Sequence, residues 1–232
     1  MKKLDKICIT ALVILTASAF LVITTLPGST SGSQIPAIGL KTSTRNVPNA
    51  DGFIQRWLIL EPITVNGDTQ NAVQTIVKTE HFPNELNVIP NDGDKVTVAG
   101  RELTWHAVDT NVYNVNLYYF ASALGASSNN ALFWAVTIVN CPQEIPGVRL
   151  AIGSNSASVW WVNGKEVIGI YGDRQTVIDD GISKRLTLKK GPNVIRGAIV
   201  NRSGAADFCA RLLDAEGKPL KNFTMSAGDS DK

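Results

Sequence analysis

Apolar residues in this chain fall into short runs, many alternating with a period of two, and glycine, proline, asparagine and aspartate cut the runs apart. That period places successive side chains on opposite faces of an extended backbone, so it predicts strands. The runs cover residues 54–60, 95–98, 102–107, 115–120, 132–139, 148–153, 158–162, 166–170, 185–188, 194–200 and 208–213. Turn chemistry separates them at Asn91-Asp92-Gly93-Asp94, Val98-Ala99-Gly100, Pro146-Gly147, Lys190-Gly191-Pro192 and Glu216-Gly217. The strongest turn signal is Asn163-Gly164, between Ser158-Val159-Trp160-Trp161-Val162 and Glu166-Val167. Both central residues of a type I′ turn need positive φ, which asparagine tolerates and glycine adopts freely. Many short strands with regular punctuation predict an all-β fold, an antiparallel sandwich or barrel.

Only residues 68–78 suggest a helix, opened by Asp68 or Thr69 as the N-cap. From about Gly28 to Asn49 the chain is rich in Ser, Thr, Gly and Pro without periodicity, so residues 34–50 read as a flexible linker, and 224–232 as a disordered polar tail. The sandwich is therefore expected over 51–223. At the N-terminus, Lys2, Lys3 and Lys6 precede an apolar run from Ile7 to about Leu26, with no further charge until Lys41. A basic start followed by an apolar segment predicts export, either through a signal peptide cleaved by about residue 33 or as an uncleaved signal-anchor helix. The expected location is secreted or within the cell envelope or periplasm, with membrane contact only through that segment.

Charge narrows the partners. The first 33 residues hold three lysines and one aspartate, which leaves 19 basic and 19 acidic side chains in the remainder. A balanced chain without a basic stripe offers no electrostatic reason to bind nucleic acid. Catalytic tools are sparse, with two histidines and no nucleophile elbow, P-loop or zinc-ligand spacing. Gly228-Asp229-Ser230 has the letters of an esterase nucleophile block but ends a tail, where a reacting serine would lack rigid support. His106 is expected as a half-buried, hydrogen-bonded strand residue and His81 as an exposed loop residue. No metal or cofactor is required; Asp92 with Asp94, or Asp179 with Asp180, are ordinary turn acids that would at most hold a structural calcium. Cys141 and Cys209 form an even pair in the exported part, so a disulfide between them is one expectation and two buried thiols the other. Asn201-Arg202-Ser203 and Asn222-Phe223-Thr224 match the glycosylation pattern, which the bacterial look of the leader makes idle.

The five tryptophans, at 57, 105, 134, 160 and 161, carry the more promising chemistry. Sugar rings present C–H faces that pack on flat aromatics while their hydroxyls bond amides and carboxylates. Three of the five are expected in the core. Trp160 and Trp161 are adjacent in a strand and point to opposite faces. If the sheet has one wet face, Trp161 packs inside and Trp160 meets solvent. Trp160, Tyr171, Asp173 and Arg174 are then the candidate ligand-binding surface, and no residue is assigned a catalytic role.

Several blocks in order resemble the galactose-binding-like jelly-roll modules attached to secreted glycoside hydrolases and acetyl xylan esterase-like proteins of bacteria. They are Phe53-Ile54-Gln55-Arg56-Trp57-Leu58-Ile59-Leu60-Glu61-Pro62, Leu132-Phe133-Trp134-Ala135-Val136-Thr137-Ile138-Val139, Leu150-Ala151-Ile152-Gly153-Ser154 leading into Val159-Trp160-Trp161-Val162-Asn163-Gly164-Lys165-Glu166-Val167, and Leu188-Lys189-Lys190-Gly191-Pro192-Asn193 before Phe208–Gly217. The chain departs from that pattern in having Glu61 before Pro62, and Asn155-Ser156 where acids often stand. The resemblance implies a jelly-roll β-sandwich, a polysaccharide or oligosaccharide ligand, or a carbohydrate-active enzyme as partner. A structural or protein-interaction module without a sugar is the alternative. A hydrolase reading rests on association with such enzymes alone.

Overall fold

A computed structural model describes residues 38–40, 46–65, 70–172 and 174–228. The N-terminal apolar segment, Asp173 and the Asp229-Ser230 pair lie outside the described residues. In chain order the elements are β1 (Ile38–Leu40), β2 (Arg56–Leu60), β3 (Ile63–Thr64), α1 (Gln70–Lys78), β4 (Lys95–Val98), β5 (Arg101–Thr110), β6 (Val115–Asn116) and α2 (Leu117–Ala123). There follow β7 (Ala131–Cys141), β8 (Ile145–Ser154), β9 (Ala157–Val162), β10 (Lys165–Ile170), β11 (Gly181–Ile182), β12 (Leu186–Leu188), β13 (Gly191–Asn201), β14 (Asp207–Leu213) and β15 (Thr224–Ser226).

The strands make two antiparallel sheets packed as a sandwich. The larger runs β1-β5-β2-β7-β13-β9-β10, with β3 and β15 also paired to β7 and β4 to β5; the smaller runs β11-β8-β14-β6, with β12 on β8. Alternation along the central strands creates two cores rather than one. Trp57, Ile59, Phe133, Ala135, Trp160, Val162, Ile195 and Ile199 face the small sheet and pack on Leu150, Ile152, Phe208 and Leu212. Leu58, Leu60, Leu132, Trp134, Val136, Val159, Trp161 and Ala198 face the other way, under Val73, Ile76 and Val77 of α1 and under Phe82. Residues 70–90 thus cover the face of the large sheet that a simple alternation would leave wet.

Most expected strands are present. Residues 115–120 differ: pairing stops after Asn116, and α2 begins at Leu117. Asn116 keeps an extended backbone and its side-chain oxygen accepts the Tyr119 N–H, capping the helix. Leu117, Phe120 and Ala121 then fall on one buried face at helical spacing. Asn116→Ala should cost about 1 kcal/mol, the usual value of an N-cap, readable in a denaturant titration.

The expected linker and tail both contribute to the sandwich. Ile38–Leu40 pairs with Val108–Thr110 at one edge of the large sheet. Thr224–Ser226 pairs with the C-terminal half of β7, and Phe223, Met225 and Ala227 are buried there. Both strands are too short to show a period, which is why composition alone reads them as unstructured.

Cys141 and Cys209 are free, buried thiols. The expected disulfide fails on topology. Cys141 belongs to the inter-sheet core, whereas Cys209 alternates with Phe208 and Ala210 and so faces away from it, beside Gly153. Burial pushes the Cys209 thiol up to about 11 and raises that of Cys141.

Candidate functional site

The β9–β10 hairpin organises the site. Asn163 and Gly164 have φ of 51° and 78°, the paired positive values a two-residue turn demands. The Asn163 side chain donates to Asn193 and accepts the Val194 N–H, both at 2.9 Å, which ties the turn to β13. A two-residue turn also sets register, and Glu166 comes to lie directly opposite Trp161. On its other side Trp161 faces Arg196 of β13. Directly paired residues share a face, so Glu166, Trp161 and Arg196 form one row on the outer side of the large sheet.

The structure corrects the expected choice of faces. Trp160 is fully buried between the sheets at 0% exposure. Its ring makes edge contacts with Trp57 and Phe208 at centroid distances of 5.9 and 5.1 Å. Its Nε1–H donates to Ser158 Oγ at 2.9 Å. The indole lies over Gly197, where an added Cβ would come within 2.5 Å of the ring. Trp161 is 7% exposed and packs near Trp134 in the second core. All five tryptophans are buried, because both faces of the large sheet are covered.

A cleft of about 350 Å³ opens beside Trp161, lined by Gln74, Lys78, Leu86, Glu166 and Tyr171, with Val77 and Val159. Gln74 and Lys78 are one helical turn apart on α1 and share its polar side. Tyr171 follows β10, and its ring rests over Gly169; a Cβ there would stand 2.7 Å from the Tyr171 hydroxyl. The glycine therefore lets an aromatic ring lie on the sheet. Gln74, Lys78, Glu166 and the Tyr171 hydroxyl make no hydrogen bond or ion pair with described residues. The result is an aromatic and aliphatic floor with an amide, an ammonium, a carboxylate and a phenol left free to serve a ligand.

Of the expected site residues that are described, Tyr171 alone lines this cleft. Arg174 donates to Asp180 at 2.7 Å and to the Tyr171 carbonyl at 3.3 Å, holding the loop after β10. Asp179 pairs with Arg211, whose guanidinium sits over the Phe53 ring. Asp92 accepts the Ala107 N–H and Asp94 accepts the Asn91 N–H, each at 2.7 Å, so both brace their turn. His106 is half-buried and bonded to Glu61 at 3.0 Å, as expected. His81 differs from expectation in being mostly covered, with its backbone N–H donated to the buried Glu85 carboxylate. Asn201 is buried and bonded to Ser128 and Ser156, whereas Asn222 is exposed.

Sequence reasoning missed Gln74, Lys78, Leu86 and Glu166. Glu166 was within reach, since the turn length at Asn163-Gly164 dictates its pairing with Trp161. Gln74 and Lys78 are visible as a polar pair on the predicted helix, but nothing local says which strand that helix covers.

Comparison with known proteins gives neighbours in structure only. No protein-family model matches the chain, and no curated protein matches it. Among solved structures the chain is similar to a PA14 sugar-binding domain from an RTX adhesin, with 14% identity and a TM-score of 0.43 over 75% of this chain and 99% of that one. It is also similar to the PA14 domain of the MpAFP antifreeze protein, with 11% identity and a TM-score of 0.43 over 83% and 98% of the two chains. A third is a β-glucosidase from Kluyveromyces marxianus in complex with glucose, with 17% identity and a TM-score of 0.37 over 68% of this chain and 15% of that one.

Proposed function

We propose that this protein is an exported, non-catalytic β-sandwich module that binds carbohydrate in the cleft beside Trp161 and Tyr171. The observation that carries the reading is the convergence of uncommitted polar groups on an aromatic floor. A pyranose ring is amphipathic, so its C–H face would pack on Tyr171 and the exposed edge of Trp161. Its hydroxyls would donate to Glu166 and Gln74 and accept from Lys78. Opposite charges from Lys78 and Glu166 leave the cleft balanced, which suits a neutral sugar. A volume near 350 Å³ lies at the low end for ligand pockets and favours a short saccharide or a chain end over a long polymer groove. Export is supported by the basic start and apolar run of the N-terminus.

The test is a glycan array followed by titration calorimetry on the full chain. Tyr171→Ala and Glu166→Gln should each weaken the best sugar by about tenfold, or ~1.4 kcal/mol, with little change in melting temperature. No sugar bound, or equal binding by both variants, sinks the proposal.

A further inference from the structure

Arg196 is the most unusual cation in the fold. It lies in the middle of the covered face of the large sheet, paired with Trp161 on one side and Val136 on the other. Its side chain is 2% exposed. Burial pulls its pKa down to about 10, opposed by the charge of Glu85, so the guanidinium stays protonated at neutral pH. Desolvating an ion costs several kcal/mol, and apolar residues of similar volume usually serve stability as well or better. The charge therefore needs another reason.

The guanidinium supplies one through its contacts. Nη1 donates to the Glu85 carbonyl at 2.6 Å and Nη2 donates to the Val88 carbonyl. These carbonyls bracket a turn that is knotted on itself. The Asn87 and Val88 N–H groups both bond the Asn84 carbonyl. The Glu80 side chain accepts the Asn84 N–H, and the Glu85 side chain accepts that of His81. Among the described residues, the two Arg196 bonds are the polar links between this knot and the sheet. Leu86, between the anchored carbonyls, is the residue of the knot that lines the cleft. A rigid fork reaching two carbonyls fixes the rotational setting of a turn in a way that one apolar contact or one ammonium does not.

We propose that Arg196 is a positioning residue for the cleft: it touches no ligand, and it holds the 85–88 turn so that Leu86 forms a preset wall beside Trp161. The inference rests on the cleft being the binding site, and its test separates the two. Arg196→Met and Arg196→Lys are made in the full chain. Hydrogen exchange is followed by mass spectrometry, acrylamide quenching by tryptophan fluorescence, and galactose and xylobiose serve as sugar probes. In Arg196→Met, amides 85–89 should exchange about tenfold faster while the central strands keep their protection. Quenching should rise, because Trp161 is the one tryptophan with exposed surface. Any sugar bound by the unaltered chain should bind about tenfold more weakly. Arg196→Lys, which keeps the charge but loses the planar fork that fixes two donors in one setting, should fall between the unaltered chain and the methionine variant and also serves if the methionine variant does not fold. Faster exchange at 85–89 when neither probe binds the unaltered chain keeps the positioning role and counts against the sugar reading. Unchanged exchange and quenching in both variants, or a uniform loss of protection across the whole chain, overturns the proposal.

Discussion

Replacing Trp160 by alanine should destabilise the protein by about 3–5 kcal/mol, the range for deleting a large aromatic from a packed core. Its indole fills the space between Trp57, Phe208 and the bare backbone of Gly197. Neither a glycine nor the rigid neighbouring rings can collapse into the void. The change also strips the Ser158 hydroxyl of the Nε1–H it accepts. Guanidinium denaturation monitored by circular dichroism gives the number. Any sugar affinity of the folded fraction should be unaltered, because Trp160 lies on the opposite side of the sheet from the cleft. Trp161→Ala is its mirror image, with the larger effect on binding. A loss under about 1 kcal/mol for Trp160→Ala would contradict the packing described above.

Asp109→Ala should be comparably damaging, by about 3–5 kcal/mol. Arg56 and Asp109 are cross-strand partners on β2 and β5. Both are buried, and two parallel N–H···O bonds of 3.0 Å join them. Removing the carboxylate takes away both of these bonds and the negative charge set directly opposite a buried guanidinium. Replacing both residues, as in Arg56→Met with Asp109→Leu, should restore most of the loss, since that removes the charge along with its partner. A double-mutant cycle in denaturant measures the coupling. Equal stability of the single and double variants would show that the pair does not act as a unit.

The strands of this fold were legible because each carries its own period and its own punctuation. The Asn163-Gly164 turn even specified the pairing that places Glu166 beside Trp161. Three things were hidden. The helix at 117–123 depends on a cap, Asn116, followed by aromatic residues whose strand propensity masks their helical spacing. The burial of the two neighbouring tryptophans depends on partners distant in sequence: Gly197, Trp57 and Phe208 for Trp160, and residues 70–90 covering the far face for Trp161. The apolar stretch Leu132-Phe133-Trp134-Ala135-Val136 already signalled a strand buried on both sides, which argues against a single wet face. The cleft drew half its walls from α1 and the turn at 85–88, and assembling them needs tertiary structure. Arg174, which pairs with Asp180, looks like a ligand group in sequence because local ion pairs and ligand groups use the same residue types.

Burial of the large sheet on both faces also bears on how such a module can diversify. Side chains on β7, β13 and β9 are hemmed in from two directions, so their substitutions are limited to exchanges that preserve volume. Freedom to vary lies with α1, the 80–88 turn and the exposed margin of β10, which meet at the cleft. Rewriting Gln74, Lys78, Leu86 or Glu166 would thus reshape the cleft while the fifteen described strands keep their interior.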